Sequence, residues 1–521
     1  MATITKDVVV YGATFPGLVA ARKAAAMGCS VAVLEWTGHV GGMTTGGLGK
    51  GDVVTGTRWG LTRKFFQTIG ANAPYSYTDG TEVVNFSSTE AVAAMEQVLL
   101  DSSSVTVVTG AWLRAVPKTG AQIQAAELQN GDVYVAKVFI DASYEGDLAA
   151  MAGVTMSYGR DSWDKYRERI QRDQASQEDW SKPGFNLEGA DRDAFKSVDG
   201  AGNLYPQHTW PPYEREMAPS ARSQAYGWRF SLSKRADRLP WPKPPGYRRE
   251  DFIFVADMVN NNGGAGSVFP LRLSAFEVSN PPGQSGSNKY TTNGGDLPGF
   301  YTNPWTRASY SERIAIQNRA FYLAAGMHYF AANDAAVPAT YRTNLNAWGL
   351  PADEFQTDYI GAPGWPSAFY VRQARTMVGQ HVMTTDDVFD DGSGANWYKA
   401  DSIGVGGYFV DAHPYYRWPL PDGQSTMEEG KLGYTGLKRY SVPLRSILPH
   451  RGQASNLLVP VCASTSTLIM NSLRMEPTWG VLCESAGTLA GLAVGAGIGI
   501  NDVPYDVLKA RLVADGAVLS I

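Results

Sequence analysis

Three residues near the start of the chain, Gly12, Thr14 and Gly17, occupy the places of the three glycines in a G-x-G-x-x-G turn. In a dinucleotide-binding turn, the first glycine allows a tight exit from a strand and the third lets the following helix pack against the sheet. The middle position brings backbone amides to a pyrophosphate at the helix N-terminus. A threonine can serve there if its φ is negative, and its hydroxyl could then donate to a phosphate oxygen.

The turn lies within a predicted strand–helix–strand unit. Val8–Tyr11 is a short apolar run with β-branched residues, which predicts a buried parallel strand. From Gly17 onward, apolar residues recur at spacings of three and four until Gly28, which is typical of a helix closed by a left-handed cap. A second strand then ends at Glu35, whose carboxylate is placed to accept hydrogen bonds from ribose hydroxyls and would repel a 2′-phosphate.

A second glycine-rich segment, HVGGMTTGGLG, follows the acidic strand end. Dense glycine is costly in chain entropy, so it indicates a backbone that lies directly against a ligand. Such a backbone suits the phosphate and sugar-alcohol portion of a flavin dinucleotide, to which its amides would donate. The glycines concerned are Gly41, Gly42, Gly46, Gly47 and Gly49.

Together, these motifs resemble those of FAD-dependent oxidoreductases of the glutathione-reductase-like superfamily. The similarity is narrower with a bacterial subtype that combines a G-x-T-x-x-G turn with an H-x-G-G-M-T-x-x-G-L-G segment, and in that subtype Thr14 is ordinary. The resemblance implies an α/β protein. It would have a Rossmann-like FAD-binding domain, with a parallel sheet flanked by helices, and an inserted α+β substrate or cap domain.

Later parts of the chain extend the resemblance, over residues 135–154, 369–384, 401–414, 440–451 and 456–494. Pro477 fits the first turn of a small-residue helix, because its missing N–H costs nothing there. The dipole of that helix would stabilise negative charge at the N1–C2=O edge of the flavin. The predicted FAD-binding residues are Gly12, Thr14, Gly17, Glu35, Gly41, Gly42, Met43, Gly47, Leu48, Leu113, Ala142, Ser143, Glu476 and Pro477.

Candidate catalytic residues lie in these later segments. His413 has Asp411 close by in sequence, and a neighbouring carboxylate fixes the tautomer of an imidazole and raises its basicity, so His413 is the predicted base. Arg372 and Arg474 could each hold an anionic or carbonyl-bearing substrate, or a flavin oxygen, through a rigid fork. Structural ion pairs are the alternative for both. The resemblance leads us to expect a histidine where this chain has Thr467, which puts that acid–base role in doubt here.

Composition bounds the class of protein. The chain has 521 residues, 44% of them hydrophobic, a net charge of −5 and a mean hydropathy of −0.22, which predicts a globular protein of at least two domains. No run of Lys or Arg tracks a phosphate backbone, so nucleic acid is not expected as a partner. The sequence has no uninterrupted apolar window of about 18 residues, so no membrane span is predicted. The three cysteines lack metal-ligand spacing.

The opening residues lack the apolar stretch of a signal peptide, so we expect a cytoplasmic protein, although removal of a leader would leave the same sequence. Changes in composition divide the chain into three predicted parts. Residues 1–160 form the first part of the FAD-binding domain, residues 161–365 an inserted substrate or cap domain, and residues 366–521 the return to the FAD-binding domain. Within the insert, residues 310–333 predict an amphipathic helix.

The insert is also rich in aromatic residues, which predict either a cleft for a ring-shaped substrate or the filling of an irregular core. Those considered for the cleft are Tyr205, Trp210, Tyr213, Trp228, Trp241, Tyr301 and Trp305. Flat faces beside polar groups favour a sugar-like alcohol. The sequence shows no concentrated basic pocket that would favour a polyanion.

We therefore expect one FAD and no separate pyridine-nucleotide domain, because only one strand–glycine turn–helix–acid unit is present. The predicted reaction is dehydrogenation of a small organic substrate at a C–H bond next to oxygen or nitrogen. Hydride would pass to flavin N5, and oxygen, a quinone or a carrier would accept the electrons. The alternatives are a flavin-dependent monooxygenase acting on an aromatic natural product and a non-catalytic flavin-binding protein.

Overall fold

The computed structural model describes most of the chain, and the predicted cleft residues Tyr205, Trp210, Tyr213 and Tyr301 lie outside the described residues. Those described are 1–52, 56–72, 85–161, 163–166, 170–173, 176–178, 222–261, 275–278, 289–292, 304–388, 398–413, 415–419, 426–429, 432–434, 437 and 439–520.

The strands in chain order are β1 (Thr3–Tyr11), β2 (Val31–Leu34), β3 (Val105–Val108), β4 (Leu113–Ala115), β5 (Lys118–Thr119), β6 (Gln122–Ile123), β7 (Ala125–Leu128), β8 (Val133–Asp141), β9 (Met156–Tyr158), β10 (Ile170–Asp173), β11 (Ser176–Glu178), β12 (Phe230–Ser233), β13 (Ala275–Val278), β14 (Lys289–Thr292), β15 (Arg375–Met377), β16 (Ser402–Gly406), β17 (Val410–Ala412), β18 (Tyr416–Pro419), β19 (Thr426–Glu429), β20 (Leu432–Tyr434), β21 (Tyr440–Pro443) and β22 (Leu457–Leu458).

The α-helices are α1 (Phe15–Ala26), α2 (Gly42–Thr45), α3 (Gly60–Asn72), α4 (Ser88–Val98), α5 (Asp147–Met151), α6 (Trp163–Tyr166), α7 (Phe254–Asn261), α8 (Tyr310–Asn333), α9 (Ala339–Asn346), α10 (Thr385–Val388), α11 (Thr467–Leu473), α12 (Glu476–Ala496) and α13 (Tyr505–Ala514). Short 3₁₀ helices cover Arg249–Phe252, Trp305–Arg307, Leu444–Ile447 and Ile500–Asp502.

The apolar run at the start of the chain forms the central strand of the main sheet. Strand β1 pairs in parallel with β2 on one side and with β8 on the other. The order across the sheet is β3-β2-β1-β8-β7-β4, and β22 also pairs with β8. Because the parallel strands β1, β2 and β8 end at one edge, the residues that follow them meet there. Those residues are Gly12, Glu35 and Ala142.

Helices cover the main sheet, and the small-residue helix α12 packs against α1. A Cβ added at Gly487 would clash with the carbonyl oxygen of Ala20, so the close packing of the two helices requires a glycine. Among the described residues, α12 is the one helix long and apolar enough to cross a membrane, yet 78% of the relevant window is buried inside the protein. The expected cytoplasmic location stays a prediction.

These elements confirm the predicted α/β class, with a parallel-rich sheet flanked by helices. Strand β22 and helix α12, from the last part of the chain, join the sheet built by the first 141 residues. The domain boundaries at residues 160 and 365 stay predictions.

Helix α8 occupies the predicted range 310–333 and begins with a capping box between Ser309 and Glu312. It docks on the main sheet, where the hydroxyl groups of Tyr310 and Tyr11 lie 2.7 Å apart. Arg313 is buried and forms an ion pair with Asp147.

The described aromatic residues of the insert pack chiefly in the core. Trp228 packs edge-on against Trp365, and Trp241 stacks on His328. Both tryptophans are buried, which contradicts their predicted place in a substrate cleft and supports the core-filling alternative. Trp305 is also buried, but it lines a cavity described below.

Candidate functional site

The glycines of the first turn have the geometry that the motif requires. Gly12 has φ +102°, and a Cβ there would lie 2.6 Å from the backbone nitrogen of Ser143 and 2.8 Å from the carbonyl oxygen of Ala142. A Cβ at Gly17 would clash with the carbonyl oxygen of Gly12. Both positions therefore need glycine for the turn, helix α1 and the segment after β8 to approach one another.

Thr14 has φ −67°, the negative value that the hypothesis requires. It caps α1, where its Oγ1 accepts a hydrogen bond from the backbone nitrogen of Gly17 at 3.1 Å. The hydroxyl donates its hydrogen to the carbonyl oxygen of Ala142 at 2.9 Å. The suggested donation from this hydroxyl to a phosphate is therefore wrong for this structure, because the hydrogen is already used to join α1 to the segment after β8.

Glu35 lies at the end of β2, as predicted, and is buried. Its Oε2 accepts a hydrogen bond from the backbone nitrogen of Ala13 at 2.9 Å, and its Oε1 accepts from the nitrogen and hydroxyl of Thr37, both at 2.8 Å. Burial raises the pKa of the Glu35 carboxyl, while these hydrogen bonds oppose the rise. The carboxylate thus fixes the exit of β1 as well as lining the site.

Four predicted FAD-binding residues, Thr14, Glu35, Gly42 and Ser143, line one cavity. Their convergence from four separate segments is an observation that fits a dinucleotide at this edge of the sheet. The prediction missed other lining residues because they carry no local motif. These include Trp36, Thr37 and Phe369, whereas Trp305 lines the cavity as one of the predicted cleft residues.

Glu145 is the second carboxyl group at this cavity. Burial raises its pKa to about 7, although the positive charge of Arg313 opposes the rise. The indole nitrogen of Trp305 donates to Glu145 Oε1 at 3.0 Å. In the sequence, Glu145 follows the predicted contacts Ala142 and Ser143, but no local pattern indicates its hydrogen bond with Trp305.

The glycine-rich segment lies directly against several other parts of the chain. Gly42 has φ +57° and leaves room for the hydroxyl of Tyr144, which accepts from the backbone nitrogen of Met43 at 2.9 Å. Gly47 has φ +121°, and a Cβ there would lie 2.7 Å from the carbonyl oxygen of Arg229. Gly41 binds the first turn, since its nitrogen donates to the carbonyl oxygen of Ala13 at 2.6 Å. Part of the glycine density therefore serves contacts within the protein.

Glu476 joins this segment to helix α12. Its carboxyl accepts hydrogen bonds from the Thr44 hydroxyl and the Tyr144 hydroxyl, both at 2.7 Å. Burial raises the pKa of Glu476 to about 7. Pro477 follows in the first turn of α12, as expected. Nearby, the buried indole nitrogen of Trp479 has no hydrogen-bond partner within the described part of the protein, so a polar group of a bound cofactor would have a donor there.

The remaining predicted cofactor residues do not line the cavity. Met43 and Leu48, within the glycine-rich segment, are buried in the core. Leu113, in β4, does not line the cavity, and its backbone nitrogen lies 3.4 Å from the hydroxyl of Tyr310. Contact of these three residues with FAD stays a prediction.

His413 lies beside the predicted carboxylate, with its Nε2 3.4 Å from Asp411 Oδ2. Arg474 approaches the same residue, donating to the carbonyl oxygen of Asp411 at 2.6 Å and lying 3.7 Å from its Oδ2. Burial alone would raise the pKa of Asp411, but the hydrogen bond to His413 and the charge of Arg474 hold it well below its usual range. The structure therefore brings together His413 and Arg474, and the charge of Arg372, the third predicted catalytic residue, also acts on Asp411.

Thr467, at the place where a histidine is expected, has a structural role. Its hydroxyl lies 2.8 Å from the carbonyl oxygen of Gly159 and 2.9 Å from Asp161 Oδ2, at the start of α11. The side chain is buried and hydrogen-bonded within the protein.

Arg372, the third predicted catalytic residue, packs on a tyrosine that the prediction missed. Its guanidinium lies 4.6 Å from the ring centre of Tyr370, and that of Arg229 lies 4.8 Å from the same centre. Arg372 also donates to the carbonyl oxygen of Ala225. Arginines from two separate segments thus pack on one ring.

The sheet edge, the strand–turn–helix unit and the acidic strand end define a dinucleotide-binding α/β protein. The chain belongs to the family of FAD-dependent oxidoreductases, whose model matches residues 7–512. The protein is accordingly an FAD-dependent enzyme, as predicted.

No curated protein matches the sequence. Solved structures that are similar over part of the fold include Mycobacterium smegmatis Sdh1 in complex with UQ1, at 15% identity and a TM-score of 0.22, covering 31% of this chain and 42% of that one. Another is the OxyS anhydrotetracycline hydroxylase from Streptomyces rimosus, at 12% identity and a TM-score of 0.24, covering 30% of this chain and 36% of that one. A third is Thermovibrio ammonificans THI4, at 17% identity and a TM-score of 0.24, covering 30% of this chain and 66% of that one. This chain therefore spans less than two thirds of each.

Proposed function

We propose that this protein oxidises a small organic substrate at a C–H bond next to oxygen or nitrogen. The supporting observation is that two groups of residues are bonded to the junction between α11 and α12. Glu476 bonds to the glycine-rich segment on the predicted cofactor side. Two positions earlier, Arg474 bonds to Asp411, the neighbour of His413. The predicted cofactor contacts and the candidate acid–base group are thus attached to the two sides of the junction between α11 and α12.

Within this proposal, FAD would supply, when bound, the two-electron acceptor for the hydride. His413 takes the proton from the substrate hydroxyl or amine, and Asp411 orients its imidazole. Loss of the proton and the hydride leaves a carbonyl or imine product, and oxygen, a quinone or a carrier then removes the electron pair. The G-x-T-x-x-G turn and the H-x-G-G-M-T-x-x-G-L-G segment support membership of the bacterial glutathione-reductase-like subtype.

The first turn of α12 suits this chemistry electrostatically. The positive end of the helix dipole favours negative charge nearby, by about 0.3–1 kcal/mol at exposed sites and more where the site is buried. An ionised Glu476 would cancel that effect. Burial instead raises its pKa to about 7, so its carboxyl group is protonated in a large share of molecules at neutral pH.

Anaerobic titration of the FAD-loaded protein tests the proposal. Addition of hydroxy or amino compounds alone should bleach the oxidised flavin absorption, and oxygen or a quinone should restore it. A flavin monooxygenase would instead need NAD(P)H or a reductase partner before any bleaching occurs. Reduction that depends on such a donor, across a panel that includes alcohols and amines, would contradict the proposal.

A further inference from the structure

A buried carboxyl group, that of Glu145, lines the cavity at the edge of the main sheet. The residue follows β8 and is only 3% exposed. Its Oε1 accepts a hydrogen bond from the indole nitrogen of Trp305 at 3.0 Å. Within the described part of the chain, Oε2 has no hydrogen-bond partner, so this oxygen is available to a ligand in the cavity.

Glu35, the other glutamate of this cavity, is largely committed to the protein. Its carboxylate accepts hydrogen bonds from the backbone nitrogens of Ala13 and Thr37 and from the Thr37 hydroxyl. A carboxylate has about four acceptor positions, so these bonds leave about one of them for a ligand. Glu145, with its single bond to Trp305, keeps about three. The capacity to accept hydrogen bonds from a ligand therefore lies mainly with Glu145.

The charged groups around Glu145 balance its ionised form. Arg313 in α8 and Arg375 in β15 both donate to one carboxylate, that of Asp147 in α5. Two positive charges thus share one negative charge, and an ionised Glu145 supplies the second. Burial is the largest influence on Glu145 and, with the charges of Asp147 and Glu35, raises its pKa to about 7. A hydrogen-bond donor at Oε2 would favour the ionised form and lower this pKa.

FAD carries donors that suit such an acceptor, namely the hydroxyl groups of its ribose and ribityl chain and the amino group of its adenine. The same cavity is lined by the predicted FAD-binding residues Thr14, Gly42 and Ser143. We propose that Glu145 binds FAD, with Oε2 of its ionised carboxylate accepting a hydrogen bond from a hydroxyl or amino group of the cofactor. Contact with the cofactor at Glu145 does not depend on which substrate the enzyme oxidises.

Titration with FAD of protein freed of its cofactor, followed by flavin fluorescence, tests this contact without any substrate. Glu145→Gln keeps an acceptor for Trp305 but removes the charge. It should weaken FAD binding roughly 10- to 100-fold at about pH 7.5, the range for hydrogen bonds to a charged group. The thermal unfolding midpoint of the FAD-free variant reports its folding.

The matched control is Glu484→Gln. Glu484 is also buried, with its pKa raised to about 7, but it does not line the cavity. This variant should bind FAD as tightly as the parent protein does. Parent-like affinity in Glu145→Gln, or equal losses of affinity in the two variants, would overturn the assignment of Glu145 to the cofactor.

The pH dependence of FAD binding reports the charge of Glu145. Below about pH 7 its carboxyl is largely protonated in the FAD-free protein, whereas a donor from the cofactor favours the ionised form. FAD binding then releases a proton, so the affinity should rise between about pH 5.5 and 7, by up to about tenfold per pH unit. Glu145→Gln should remove this rise, and Glu484→Gln should keep it. A fall in affinity over the same range, absent in Glu145→Gln, would mean that a neutral carboxyl donates to FAD and would overturn the proposed acceptor.

Other titratable groups near Glu145 do not obscure this comparison. Burial raises the pKa of the Cys462 thiol and of the Tyr226 hydroxyl, so both are uncharged over the same pH range. His39 lines the cavity and lies 2.7 Å from Asp358, and this pair is retained in Glu145→Gln. The difference between the parent protein and the variant therefore isolates the carboxyl of Glu145.

If Glu145→Gln does not fold, Trp305→Phe tests the same contact. The hydrogen bond from Trp305 lowers the pKa of Glu145, so its loss should move the rise in FAD affinity to higher pH. An unshifted rise, or no rise in the parent protein, would overturn the assignment. FAD binding that depends on Glu145, with no hydroxy or amino compound able to bleach the flavin, would support the assignment and contradict the oxidation proposed above.

Discussion

At the scale of single residues, Glu35 has two separable roles. Its carboxylate accepts hydrogen bonds from the backbone nitrogens of Ala13 and Thr37, and it lines the predicted cofactor cavity. Glu35→Ala should weaken FAD binding by about 1–3 kcal/mol and also lower stability, because it leaves buried amides without an acceptor. Fluorescence titration with FAD measures the first effect, and unfolding of the FAD-free protein measures the second. Unchanged FAD affinity would remove Glu35 from the cofactor site.

The role of His413 can be tested against a matched histidine. His413→Ala should slow flavin reduction by substrate roughly 10²- to 10⁴-fold, the usual contribution of a general base. His381 is the control, since its Nε2 also lies near a carboxylate, 3.0 Å from Asp387 Oδ1. Stopped-flow measurement should show little change for His381→Ala. If His413→Ala is reduced as fast as the parent protein, the base lies elsewhere.

At the scale of elements, α12 offers two glycines with opposite surroundings. A Cβ at Gly487 would clash with Ala20 in α1, whereas one at Gly495 would meet nothing within 4 Å. Gly487→Ala should therefore destabilise the protein by about 1–3 kcal/mol through overpacking. Gly495→Ala should be neutral or stabilise it by up to about 1 kcal/mol, because alanine favours the helix. Chemical unfolding of both variants measures the difference, and equal effects would contradict the packing described for α12.

Local pattern determines how much of these elements the sequence could predict. The strand–turn–helix unit, helix α8 and the start of α12 follow from apolar spacing and from Gly and Pro positions, so they could be predicted. The packing of Arg229 and Arg372 on Tyr370 could not, because the backbone bridge between Gly227 and Tyr370 joins segments that no local pattern links. The hydrogen-bond partner of the Thr14 hydroxyl could not be predicted for the same reason, because that partner, Ala142, lies in the segment after β8.

At the scale of the whole molecule, four carboxyl groups from distant parts of the sequence are buried and have raised pKa values. Asp141 is buried with its pKa raised to about 6, and Glu145, Glu476 and Glu484 are buried with pKa values raised to about 7. Asp141 ends β8 and Glu145 follows it, whereas Glu476 begins α12 and Glu484 lies near its middle. Burial is the largest cause of every one of these shifts, so they follow from placing carboxyl groups where the two ends of the chain pack together.

These shifts make stability depend on pH in a definite direction. Between about pH 4.5 and 7, each glutamate keeps its proton in the folded protein and loses it in the unfolded chain, whose pKa is about 4.3. Folding therefore takes up protons, and the free energy of unfolding falls as the pH rises, by up to about 1.4 kcal/mol per pH unit for each group. The thermal unfolding midpoint, measured at fixed FAD concentration, should decrease from pH 5 to pH 7.

Glu484 is the best single test of this dependence. Its carboxyl accepts from the backbone nitrogens of Leu61 and Thr62 at 2.9 and 3.2 Å, and glutamine can keep one such acceptor without ionising. Glu484→Gln should therefore make the free energy of unfolding fall less steeply between pH 5 and pH 7, by the contribution of about one titrating group. Glu250→Gln, at an exposed glutamate, should leave the slope unchanged. A profile that is flat in the parent protein, or equally steep in Glu484→Gln, would mean that this carboxyl ionises as readily in the folded protein as in the unfolded chain.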